Sequence, residues 1–247
     1  MSIIEEAKKD KRNICLLNEL AGIQLNYECC DDNSWGSDMK NNVATISYCD
    51  CASPASALTH ELLHIKLQFN GYRRIRIGVS NLNTGELFIR LMTCLDNNLQ
   101  HHKMYPEFVA LGYNPLEFYC DSDRMSETYL REVVLRQYHT IIEFVPDFMT
   151  LIASGGAISE NIKTEIENSF YQIFHGVFEQ QLRDIKSEVM EWSESSSNNS
   201  SEIFTKIMLV LKPDNNLTWF GYSNTDRPPN DGFFVQGEFQ RGIRVRP

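Results

Sequence analysis

The sequence Thr59-His60-Glu61-Leu62-Leu63-His64 lies inside an apolar segment at residues 53–69. In an α-helix, residues four apart lie on the same face, one turn above the other. His60 and His64 can therefore bind one metal ion, and Glu61 can reach a water molecule beside that ion. Because a glutamate next to the first of two such histidines is a known zinc-binding pattern, the motif predicts a Zn²⁺ site.

Local signals define the ends of this helix. Ser53 is a favourable N-cap and Pro54 fits the first helical turn, whereas Asn70-Gly71 is a favourable stop. Val43–Tyr48 is predicted as a short strand that is entered from Asn41-Asn42. The sequence therefore predicts a strand followed by a helix of roughly 16 residues that carries both histidines.

The rest of the chain indicates an α+β fold that is mostly helical, with a small antiparallel sheet beside the motif helix. Asp, Asn, Ser and Gly dominate residues 31–42, which are predicted as a loop. Pro106 is expected to end or bend its helix, and Pro146 to break or kink another. Helical periodicity and alternation predict helices at residues 3–20, 87–102, 107–112, 123–144, 147–153 and 159–192, and strands at 23–29, 43–48 and 74–79.

Composition divides the chain into three parts. Residues 1–193 are predicted to form the main domain, and residues 194–202 a loop rich in Ser and Asn. Residues 203–247 form a small C-terminal segment, whose aromatic side chains indicate that it packs on the main body.

Charge and cysteine usage exclude several classes of protein. The 247-residue chain has a net charge of −10, which disfavours nucleic acid as the main partner. We find no signal peptide and no apolar run that approaches the length of a membrane span. Seven scattered cysteines favour reduced thiols in the cytoplasm, although Cys29-Cys30 and Cys49-x-Cys51 could instead bind a second metal. We therefore expect a cytoplasmic protein that acts away from nucleic acid and membranes.

The strand and the motif helix together resemble the zincin metallopeptidases. In zincins a short edge strand precedes the active-site helix, and the substrate lies antiparallel along that edge as an added strand. The resemblance implies a zincin-like domain in which His60 and His64 bind zinc and Glu61 is the general base. The resemblance implies a peptide or protein substrate, and a function in which a water molecule that the metal activates hydrolyses its peptide bonds.

A third metal ligand must lie farther along the chain, because the glycine and third histidine that follow the motif in metzincins are absent. Residues 97–112 loosely resemble the segment that supplies the third histidine in SprT-like zincins, which favours His101. The apolar stripe of the helix instead places His102 on the side that faces the motif helix. Glu107 would make the site similar to that of gluzincins. The sequence leaves these alternatives open.

Two other interpretations compete with an enzyme. The chain could bind metal without proteolysis and act as an interaction or regulatory module, or the motif could be a chance match in a metal-free helical protein.

Zincins also commonly use a tyrosine or histidine to hydrogen-bond the oxyanion. Tyr72, Tyr105 and Tyr113 are candidates between which the sequence does not decide.

Overall fold

The computed structural model describes residues 2–31, 34–72, 75–79, 82–119, 127–135, 141–153, 155, 158–174, 176, 178–211 and 218–222. Within these ranges the protein is a mixed α+β fold that is mostly helical, as predicted. No helix among the described residues is both long and apolar enough to cross a membrane.

The elements are numbered in chain order. The helices are α1 Ile3–Ala7, α2 Lys11–Glu19, α3 Pro54–Phe69, α4 Leu82–Ala110, α5 Glu127–Val134, α6 Ile141–Ile152, α7 Glu160–Ile173, α8 Glu179–Glu194 and α9 Ser200–Leu211. The strands are β1 Gln24–Cys29, β2 Gly36–Lys40, β3 Val43–Tyr48, β4 Ile75–Val79 and β5 Thr218–Tyr222, and a 3₁₀ turn covers Pro115–Glu117.

The sheet beside α3 is mixed, so the prediction of an antiparallel sheet is wrong in part. Its strand order is β1-β3-β2, in which β3 is parallel to β1 and antiparallel to β2. Strand β2 falls in the predicted loop at residues 31–42. Asn41 and Asn42 have φ of 52° and 60°, as in the tight turns that favour hairpins, and they join Lys40 to its partner Val43. Strand β3, the predicted edge strand, is thus central, and β2 is the edge.

The motif helix α3 begins and ends where its signals predicted. It starts at Pro54 with Ser53 as the N-cap residue and ends at Phe69. Thr59 ties it to α2, because the Thr59 hydroxyl lies 2.6 Å from the side-chain oxygen of Asn13. Leu58, Leu62 and Ile65 are fully buried, so the helix lies in the interior of the fold.

Two hydrophobic cores fill the molecule, and α4 contributes to both. Leu91, Leu95 and Leu99, which precede His101, pack among the C-terminal helices. Met104 and Phe108 in its second half pack with α1, α2, α3 and the sheet. Helix α4 therefore connects the two cores beside α3.

Both interior prolines lie inside helices, where an end, break or bend was predicted. Helix α4 continues through Pro106 to Ala110, so most of the short helix predicted at 107–112 is part of α4. Helix α6 likewise continues through Pro146. Phe108 follows the first proline and Phe148 the second, and both are fully buried. Their packing outweighs the cost of a helical proline.

Other helices are shorter than the periodicity predicted. The predicted helix at 3–20 is divided at Asp10, whose side chain accepts a hydrogen bond from the Arg12 N–H as the N-cap of α2. The predicted helix at 159–192 is divided between α7 and α8, with Gly176 at φ +76° in the connection. Part of the predicted helix at 123–144 lies outside the described residues.

Helix α9 begins inside the predicted loop at 194–202. Ile203, Phe204, Ile207 and Met208 are buried in the same core as Leu182 and Ile185 of α8. Strand β5 pairs with β4 in a separate two-stranded sheet. Residues 212–217 and 223–247 lie outside the described ranges, and the predicted domain boundaries stay a prediction.

Candidate metal centre

Three buried histidines meet where α3 and α4 pack together. His60 and His64 lie one turn apart on α3, and His101 reaches them from α4. One ring nitrogen of each lies within 4.8 Å of the others, and the Nε2 atoms of His60 and His64 are 3.1 Å apart. Such a cluster can hold a metal ion, since imidazole nitrogen is a common ligand of transition metals.

Several nitrogens of this cluster are buried without a hydrogen bond. Within the part of the chain that the structure describes, both ring nitrogens of His101 lack a hydrogen-bond partner, and so does the Nδ1 of His60. His101 is 4% exposed, so bulk water has little access to its ring. Buried polar atoms almost always have partners, and a bound ion is one of the standard explanations when no protein group supplies them. The residues present therefore fit a metal ion.

The protonation states of the cluster suit metal binding. Burial lowers the pKa of His60 to about 4. Burial lowers the pKa of His101 well below its usual value, and positive charge on His60 and His64 would lower it further. These rings are thus neutral near pH 7, and the neutral imidazole is the form that binds a metal.

A chain of hydrogen bonds orients His64. The Gln100 amide nitrogen donates to Asp96 Oδ2 at 2.9 Å, so its oxygen faces His64 Nδ1 at 3.0 Å. The Tyr72 hydroxyl donates to Asp96 Oδ1 at 3.0 Å. In this arrangement His64 donates from Nδ1, and its Nε2 lone pair is directed toward His60 and the site. Carboxylates and carbonyls behind a histidine play this role at known metal sites.

Glu61 lies beside the histidines on the wall of a cavity of about 890 Å³. Its side chain is mostly buried, and the residue is 5% exposed. Gly36 and Ser37 of the edge strand β2 line the same cavity, and the Ser37 hydroxyl lies 3.5 Å from the Glu61 backbone oxygen. The cavity thus connects the histidine cluster, a carboxylate and a strand edge.

Tyr119 is a site residue that the sequence reasoning missed. Its ring centroid lies 5.0 Å from that of His101 and 6.3 Å from that of His60. It lines the cavity, and its buried hydroxyl has no hydrogen-bond partner among the described residues. Burial raises the pKa of this phenol, which keeps it a proton donor. No local motif marks this position.

The three tyrosines considered from the sequence lie elsewhere. Tyr72 is buried and donates to Asp96, at the end of the hydrogen-bond series that is farthest from His64. Tyr113 donates to the Ala55 backbone oxygen at 3.2 Å. Tyr105 packs on Phe118, with ring centroids 5.2 Å apart. None of the three is among the described residues that line the cavity.

The two other candidates for the third ligand point away from the cluster. His102 is buried, and its pKa is lowered to about 4 by burial and by the charge of Lys163. Adjacent residues on a helix differ by 100°, so His102 cannot share the direction of His101. Glu107 accepts a hydrogen bond from Lys66 at 2.6 Å. The geometry thus favours His101.

Cysteine and histidine side chains elsewhere form no comparable site among the described residues. The histidine cluster is the one group of three His, Cys, Asp or Glu side chains there that is close enough to share an ion. Cys29, Cys30, Cys49 and Cys51 form no disulfide bond among the described residues. Cys120, His139 and His175 lie outside the described ranges.

Comparisons with known proteins do not assign a family. No family model matches the chain, and neither a curated protein nor a solved structure does so significantly. The three-histidine cluster is therefore inferred from the geometry of this chain alone.

Proposed function

We propose that this protein is a zinc-dependent metallopeptidase. One observation carries the proposal: three buried histidines, two of which have nitrogens without a hydrogen-bond partner among the described residues, lie beside Glu61 in one cavity. A structural histidine cluster would be expected to satisfy its own nitrogens. Unpartnered nitrogens on His60 and His101 beside a cavity of this size instead favour a bound ion and a substrate.

His60, His64 and His101 would hold the metal. Three protein ligands leave a position open for water or substrate, as in catalytic rather than structural zinc sites. When bound, Zn²⁺ supplies a Lewis acid that polarises a carbonyl and lowers the pKa of water. The proposal of zinc over other metals rests on the H-E-x-x-H spacing.

Glu61 would act as the general base. It lines the same cavity as His60, His64 and His101, so its carboxylate is within reach of a water molecule at the site. It would take a proton from the attacking water and pass it to the leaving amine. Its shielded position favours this exchange, since few bulk waters compete for the carboxylate.

The edge of β2 would hold the substrate. This strand is one of the two outer strands of the β1-β3-β2 sheet, and its first residues line the cavity. An extended peptide can add to such an edge through backbone hydrogen bonds. The added strand would bring its backbone carbonyls past the histidine cluster.

Tyr119 would stabilise charge on the scissile carbonyl. Its hydroxyl makes no competing hydrogen bond within the described structure, and its ring contacts the ligand histidines. A preorganised donor of this kind is most effective in a cavity from which water is excluded.

Replacing Glu61 tests the function directly. We expect Glu61→Gln to retain about one equivalent of zinc and to lose turnover of casein or quenched peptides by at least roughly 100-fold, the scale of general-base catalysis. Glu28→Gln, an exposed change on β1, is the matched control and should keep both zinc and activity.

The same measurement separates the competing interpretations. A metal-binding interaction module would bind zinc in both variants and hydrolyse peptides in neither the variant nor the wild type. A metal-free protein would contain no zinc in any variant. Either result would overturn the proposal.

A further inference from the structure

A polar stripe on α4 leads away from the histidine cluster along the cavity. Arg90, Cys94, Asn97 and His101 follow one another at spacings of four, three and four residues, and all four line the cavity. At 100° per residue, Arg90 and His101 point within about 20° of the same direction. At 1.5 Å per residue they lie roughly 16 Å apart along the helix axis.

Arg90 lies at the end of this stripe that is farthest from the histidine cluster, and a buried carboxylate orients it. The Arg90 Nη2 donates to Asp147 Oδ1 at 3.1 Å, and the Tyr129 hydroxyl lies 3.4 Å from the same oxygen. The Asp147 side chain is 4% exposed, whereas that of Arg90 is 56% exposed. The carboxylate thus holds the arginine from behind, and the guanidinium faces the open space.

Arg90 carries a positive charge at this end of the cavity, whereas the protein as a whole is negatively charged. The whole chain has a net charge of −10, and the cavity also contains Glu61 and Asp147. Arg90 is the one lysine or arginine among the described residues that line it. A guanidinium has five N–H donors, and its planar fork matches a carboxylate.

We propose that Arg90 is a specificity residue that binds a carboxylate of the peptide substrate. For a peptide whose segment beyond the β2 edge runs through the cavity beside α4, an advance of about 3.3 Å per residue makes the separation of roughly 16 Å correspond to about five residues from the scissile bond. The carboxylate is either an Asp or Glu side chain or the C-terminus of a short peptide. This inference rests on the proposed peptidase function and adds its substrate class.

Quenched peptides with a single movable charge test the inference. Each would carry one glutamate placed two to eight residues from a cleaved bond that mass spectrometry identifies, with glutamine as the uncharged partner. We expect kcat/KM to be about tenfold higher for glutamate than glutamine near the fifth residue, as an exposed charge-assisted contact would give. Amidated and free C-termini distinguish the two sources of the carboxylate.

Substitutions at Arg90 connect this preference to the residue. Arg90→Gln should remove the preference and leave kcat/KM for the glutamine peptide within about twofold. Because this change leaves Asp147 buried without its cation, Arg90→Gln with Asp147→Asn is the second variant. Arg131→Gln removes an exposed arginine that pairs with Glu127 and Glu165, and it should leave the preference intact.

Binding to an inactive protein separates failure of this inference from failure of the peptidase proposal. In the Glu61→Gln background, fluorescence anisotropy should show the glutamate peptide binding about tenfold more tightly than the glutamine peptide, and Arg90→Gln should abolish the difference. Equal binding of the two peptides, or a preference that survives Arg90→Gln, overturns the role of Arg90. Specific binding without hydrolysis by the wild type overturns only the proposed catalysis.

Discussion

At the scale of single residues, the site depends on which histidine of the His101-His102 pair faces α3. His101 joins the cluster with two unpartnered nitrogens, whereas His102 packs near Lys163. The direction of one side chain thus decides the third ligand.

We expect His101→Ala to lose zinc and His102→Ala to retain it. Removing a ligand should lower zinc affinity by more than the roughly 10- to 100-fold that loss of a ligand's hydrogen-bond partner costs. Zinc content of the folded protein, measured by mass spectrometry after gel filtration, checks this. Glu107→Ala is a further control and should also retain the metal. Loss of zinc in His102→Ala or Glu107→Ala alone would overturn the assignment.

Tyr119 permits a clean test of oxyanion stabilisation. Tyr119→Phe removes a hydroxyl that bonds to no other described group, so we expect no loss of stability and full zinc content. Turnover should fall by about 100- to 1,000-fold with little change in KM, the effect of losing one oxyanion donor.

Tyr105→Phe is the matched control for this change. Its ring packs on Phe118 outside the cavity lining, so steady-state kinetics should be unchanged. Equal activity of Tyr119→Phe and wild type would exclude the proposed role of Tyr119.

At the scale of elements, α4 has the largest effect on the site. It carries His101 and Gln100, extends the polar stripe to Arg90 and continues through Pro106. The residues after the proline hold the helix in place, since Phe108 stacks on Tyr113 with ring centroids 4.9 Å apart. Packing thus keeps intact a helix that its local sequence would interrupt.

Replacing Pro106 should reveal how much a proline inside the helix destabilises the protein. We expect Pro106→Ala to raise the free energy of unfolding by about 1–3 kcal/mol, because proline in a helix interior is roughly 3 kcal/mol less favourable than alanine. Urea unfolding followed by circular dichroism checks this. Val109→Ala, at an exposed position of the same helix, should change stability by no more than about 0.5 kcal/mol. A loss of more than 1 kcal/mol in Pro106→Ala would show that the ring itself packs favourably.

At the scale of the whole molecule, the histidine cluster lies where the two hydrophobic cores meet. Helix α3 packs in the core that includes α1, α2 and the β1-β3-β2 sheet, whereas Leu91, Leu95 and Leu99 of α4 pack in the core of the C-terminal helices. An ion shared by the two helices would therefore link both cores and stabilise the entire fold.

We expect zinc to stabilise the whole protein in one transition. At a free zinc concentration 100 times Kd, the free energy of unfolding should rise by about 2.7 kcal/mol. Chelated and zinc-loaded protein can be compared by urea unfolding at pH 7. His64→Ala removes a ligand and should abolish the shift. A similar shift in this variant would indicate that zinc binds elsewhere.

Much of the local structure could be predicted from neighbouring residues alone. The bounds of α3 agree with its Ser53 and Asn70-Gly71 signals, because capping acts within one helical turn. The pairing of His60 and His64 likewise follows from helix geometry. Strand β2 was missed because Gly36–Lys40 is polar and has weak strand preference, so its pairing with β3 depends on the hairpin turn.

The sequence by itself thus determined the motif helix, two histidines at the spacing that binding one metal ion requires, and the mostly helical α+β class. Tertiary structure decided the choice of His101, the edge position of β2, and the presence of Tyr119 and Arg90 in the same cavity. His101 follows His64 by 37 residues, and Tyr119 lies farther still. No local preference sets the direction of such distant side chains. They meet because the apolar faces of α3 and α4 must be buried in two cores, which leaves their polar faces turned toward one cavity.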